Sequence, residues 1–124
     1  ALNYIDTHNV SAGSAKKITI YSETNRLNDA LNLFFDVYGK EINKYPLTLI
    51  FPTKIIEYRK NLESAIEFLE KNYIENNEIT KKNYALFEYY YQLCKKAQQT
   101  EKEEKIQNQL KDFRELIYLK SSLS

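Results

Sequence analysis

Glycine and proline are scarce, two of each in 124 residues. Their scarcity removes turn-rich β architectures and any glycine-rich loop that would cradle a phosphate. A single cysteine, Cys94, excludes an intramolecular disulfide framework and a thiolate metal site. The one histidine, His8, has no second imidazole to complete a zinc site and sits in a polar stretch, where we read it as a surface residue. No run approaches the ~18–20 apolar residues of a membrane span. The longest, Leu47–Phe51, is interrupted by Thr48. A charge surplus is missing too: 18 basic side chains face 17 acidic ones, divided 8 to 6 over residues 1–62 and 10 to 11 over 63–124. Neither half carries the excess of a polyanion-binding or membrane-surface footprint. Ser-His-Asp, Gly-x-Gly and Walker-type patterns are absent in usable form, so we expect no enzyme, no metal and no cofactor.

What remains is helical spacing of apolar residues from about Leu27 to Leu119, together with 11 tyrosines. A chain of this length buries roughly two-thirds of its unfolded surface without a staple. We therefore expect an all-α fold, a small antiparallel bundle of about four helices with an irregular N-terminal arm. Residues 1–17 form that flexible or irregular arm, 18–120 a single helical-bundle domain, and 121–124 a frayed tail. Ile18–Tyr21 alternates like a strand but has no evident partner, so we place it in an extended arm against the bundle.

The first helix is expected from about Glu23 to Tyr38, with Ser22 or Thr24 as cap and Leu27, Ala30, Leu31, Phe34, Val37 and Tyr38 on one face. Pro46 and Pro52 bracket Leu47–Phe51, which we read as an extended buried connector. A second helix is expected from Pro52 or Thr53 to about Asn72, with the stripe Ile55, Tyr58, Leu62, Ala65, Ile66, Leu69 and Tyr73. Thr80 suits the N-cap of a third, with Ile79 and Tyr84 as hydrophobic staple. Its apolar arc spans about 200°, so it must touch two or more partners and belongs at the centre. Gln98-Gln99-Thr100 is a tight break, and Thr100-x-x-Glu103 a capping box for a final helix with Ile106, Leu110, Phe113, Leu116 and Ile117 on one stripe. The short loop makes the last two helices an antiparallel hairpin.

Cys94 falls within the apolar arc, where a thiol packs as a small hydrophobe. The acids, Glu63 and Glu67 included, fall on solvated faces without the Glu-x-x-His step of a bundle di-metal site. A tetratricopeptide unit does not fit, because Glu88 stands where a small residue should pack. A helix-turn-helix does not fit either, since the helix that would read a groove is too apolar.

These exclusions leave a non-enzymatic helical domain for protein–protein binding or assembly, its partner another protein or a second copy of itself. Candidate anchors are Tyr89, Tyr118, Leu119, Leu47, Ile50 and Phe51, apolar residues off the clean stripes. The alternative is a nucleic-acid-binding domain in which Lys81, Lys82, Lys95 and Lys96 contact phosphates beside the tyrosines of the helix from Thr80 to Ala97. The sequence leaves the compartment open: we expect a soluble chain and favour the cytoplasm over an exported domain whose leader has been removed.

Overall fold

The structure, a computed structural model, describes residues 10–123. Those residues are all-helical and contain no strand. Among the described residues six helices form where about four were expected: α1 Val10–Glu23, α2 Leu27–Tyr38, α3 Ile50–Arg59, α4 Leu62–Asn72, α5 Tyr84–Lys96 and α6 Thr100–Leu123. They pack chiefly in chain order, α1 on α2, α3 on α4 and α5 on α6. The pairs are joined through α2 on α3, α4 on α5, and α5 on the short 3₁₀ turn Pro46–Leu49. None of the helices is long and apolar enough to cross a membrane.

The two additional helices arise from two departures from the expected pattern. The first is α1, which begins inside the stretch expected to be an irregular arm and includes the four residues expected to be extended. Ile18 is fully buried with Ser22 beside it, while Ile20 is largely exposed. Burial at 18 and 22 follows the helical step of four, not the alternation that resembled a strand. The hydroxyls of this segment are satisfied within the helix: Thr19 Oγ1 donates to the Ala15 carbonyl at 2.9 Å and Ser22 Oγ, expected as a cap, to that of Thr19 at 2.8 Å. Thr24 likewise closes α1, donating to Ile20 O at 3.0 Å, and does not cap α2. Asn25, at φ 60°, makes the turn between the two. Residues 1–9 of the expected arm, His8 among them, lie outside the described residues.

The second departure splits the long helix expected from Pro52 to Asn72. Asn61 adopts extended backbone and its side chain accepts the Ser64 N–H at 2.7 Å, so it caps α4 and ends continuity with α3. Tyr58, expected on the inner stripe, is consequently 80% exposed. The Leu47–Phe51 connector is not extended. Pro46–Leu49 is a 3₁₀ turn that runs directly into α3. Pro52 falls in the first turn of α3, where the absent N–H costs nothing, and Thr53 Oγ1 bonds back to the Leu49 carbonyl at 2.7 Å.

α5 occupies the centre as expected, burying Leu86, Phe87, Tyr90, Leu93 and Cys94. It starts at Tyr84, not beside Thr80. Residues 80–83 form a turn in which buried Asn83 accepts the Thr80 N–H at 2.7 Å and donates to Tyr73 Oη at 3.0 Å and the Glu78 carbonyl at 2.8 Å. The positive φ of Gln98, 57°, reverses the chain into α6. One continuous core, from Ile18 and Phe34 through Ile66 and Leu69 to Ile106 and Leu110, links all three helix pairs.

Candidate interaction surface

The two members of the last pair differ in length. α6 has 24 residues, about 36 Å at 1.5 Å per residue, whereas α5 has 13, about 20 Å. Their register is fixed at the start of α5, where the Tyr84 ring lies 5.6 Å from that of Phe113 and Arg114 Nη1 donates to Tyr84 Oη at 2.8 Å. Beyond Arg114, α6 runs past the end of its partner. Burial falls accordingly: Ile106 and Leu110 are in the core, Phe113 and Ile117 are half-buried, and Leu116, Tyr118 and Leu119 are 50%, 72% and 57% exposed. A shallow cleft of about 340 Å³, lined by Lys81, Tyr84, Phe113, Arg114 and Ile117, sits where the overhang begins.

The expected anchors therefore separate. Tyr118 and Leu119 lie together on the overhang. Leu47 is exposed, but on the turn before α3. Ile50 and Phe51 are half-buried and pack against the core, as does Tyr89. Leu116 belongs with Tyr118 and Leu119, although its spacing suggested the inner stripe. Only the length mismatch between the two helices distinguishes it, and the register of that pair is not visible in periodicity.

Tyr89 lines a second cleft of about 670 Å³ between α3 and α5, beside Lys54, Glu57, Tyr58, Gln92, Leu93 and Lys96. Its hydroxyl is buried and lacks a hydrogen-bond partner among the described residues. Burial, with the nearby Glu57 charge, pushes its pKa up to about 12. Lys96 pairs with Glu57 at 2.7 Å across this cleft. A third cleft, about 590 Å³, lies between α6 and the segment after α4. At its wall Tyr90 donates to Glu70, which also pairs with Lys102 at 2.9 Å. Burial, then the bond to Glu70, raises the Tyr90 pKa, and burial raises that of the Cys94 thiol. Both groups are held protonated and unreactive.

The lysines of the nucleic-acid alternative are all exposed, but Lys81 and Lys82 precede α5 while Lys95 and Lys96 end it. About 20 Å of helix separates the two pairs. Compared with known protein families, with curated proteins and with solved structures, the chain matches none.

Proposed function

We propose that this chain is a non-enzymatic protein–protein interaction domain, an antiparallel helical bundle that holds the C-terminal half of α6 out as its docking element. The observation that carries this reading is the exposure of Leu116, Tyr118 and Leu119 together on a helix whose other half is anchored in the core. Rigid presentation limits the ordering cost of binding, and leucine and tyrosine supply apolar contact area. A phosphate-contacting role for the lysines draws no support from their separation along α5.

A photoreactive residue placed at Leu116 tests the proposal in extract of the native host. The expected result is a discrete protein adduct, competed away by excess unmodified chain but not by chain carrying Leu116→Lys and Leu119→Lys. Adduct formation no greater than from the exposed position Lys60 would sink the proposal.

A further inference from the structure

On α6, Leu116 and Leu119 are three residues apart and share a face about a third of a turn away from the side that packs on α5. The residue before the first leucine is Glu115 and the residue after the second is Lys120. Five residues apart, they stand about 140° apart around the helix, one on each edge of the leucine stripe. Both are exposed, and neither joins an ion pair among the described residues. The sequence places Leu123 at the next position of the same repeat.

We propose that the occupant of this stripe is a second copy of the same chain, with the two α6 overhangs packed in parallel. The orientation follows from the charges. When two helices pair in parallel about a two-fold axis, the edge preceding one core residue faces the opposite edge of the partner, five residues further along. Glu115 of each copy then meets Lys120 of the other, giving two symmetric ion pairs over the Leu116 and Leu119 layers. An antiparallel pair would instead set each edge against its own kind and leave both charges without a complement. The core-facing residues Ile106, Leu110, Phe113 and Ile117 point away from this stripe, so the two bundles lie on outer sides of the pair. A stripe of this length falls short of the three to four heptads of a free-standing coiled coil, so association is reversible and concentration-dependent.

This inference rests on the overhang being an interaction element, and its test separates the two. Sedimentation equilibrium of the purified chain, from about 1 μM to about 1 mM, should show the mass rising from 14.7 kDa towards twice that value. Leu119→Lys, which keeps helicity because the site is exposed, should weaken association about a hundredfold or more, since each dimer loses two buried leucines. Glu115→Lys and Lys120→Glu should each weaken it severalfold, and the two together should restore it. Under mild oxidation Leu119→Cys should cross-link to itself. A mixture of Leu116→Cys and Leu119→Cys chains should favour the like-with-like disulfides.

A monomer throughout the range overturns the proposal. So does a dimer indifferent to Leu119→Lys, or cross-linking that favours the 116–119 disulfide. Monomeric behaviour with a discrete adduct to a different protein at Leu116 would refute self-pairing and leave the interaction reading standing. Monomeric behaviour with no adduct would refute both.

Discussion

Tyr89 and Tyr90 differ in what their hydroxyls gain. Tyr90 donates to Glu70, whereas the Tyr89 hydroxyl is buried without a partner. Deleting an unsatisfied hydroxyl removes a desolvation cost and leaves the ring in place. Tyr89→Phe should therefore change stability by no more than about 0.5 kcal/mol, in either direction. Tyr89→Ala removes a ring packed on the core and should cost about 2–3 kcal/mol. Chemical denaturation of the three proteins checks both. The same burial gives a pH dependence. Tyr89 keeps its proton up to about 12 in the fold, against 10.0 for an ordinary tyrosine. The native state therefore binds more protons across that interval, and stability is lost as pH rises from about 10 to about 12. In Tyr89→Phe this part of the alkaline loss should shrink. Asn83 is a buried polar residue with a side chain bonded three ways. Its side chain ties Thr80, Glu78 and Tyr73 together, so Asn83→Ala should cost about 2–3 kcal/mol in the same measurement. Nothing in the local pattern marks it. Its partner Tyr73 stands ten residues earlier, and a single asparagine in a polar tract reads as surface.

At the level of elements, periodicity found α2, α5 and α6, although α2 and α5 begin later than expected, at Leu27 and Tyr84. It failed where apolar spacing ran on across a break, although α3 buries Pro52, Thr53 and Ile56 on a different face. Ile55, Tyr58 and Leu62 continue the three-and-four spacing across Lys60–Asn61, so the stripe gave no sign of a break. The sign was Asn61 itself, three residues before Ser64. Its cap is worth about 1 kcal/mol, and Asn61→Ala should lower stability by that amount while Asn61→Asp retains most of it. If α3 and α4 behaved as one continuous helix, Asn61→Ala would stabilise, because alanine is the better helix former. The sign of the change thus decides whether the break exists in solution. α1 was missed for a different reason. Apolar anchors are few before Ile18 and Ile18–Tyr21 alternates like a strand, so no helical stripe shows; Thr19 and Ser22 nevertheless bond back to helical carbonyls. The candidate surface was legible in part: Tyr118 and Leu119 stood out as off-stripe residues, but Leu116 required the register of α5 against α6.

At the scale of the whole fold, the three helix pairs of the described residues share one core, and Ile18 of α1 belongs to the same buried cluster as Cys94, Ile106 and Leu110. A shared core implies a single cooperative unit, whereas three pairs joined by thin contacts would open separately. Cys94 reports which of these holds. It is the only thiol, fully buried within the cluster on α5, and burial raises its pKa. A thiol reagent therefore reaches it only through an opening of the structure. Ile18→Ala removes side-chain volume from α1, in the first helix pair, at a cost of about 2–4 kcal/mol. If the molecule opens as one, that loss should speed Cys94 labelling by about 30-fold or more, since each 1.4 kcal/mol is a factor of ten in the open population. The labelling transition in rising denaturant should also coincide with the loss of helicity. A labelling rate unchanged by Ile18→Ala would mean that the first helix pair opens alone, and that the remaining helices protect Cys94 without it.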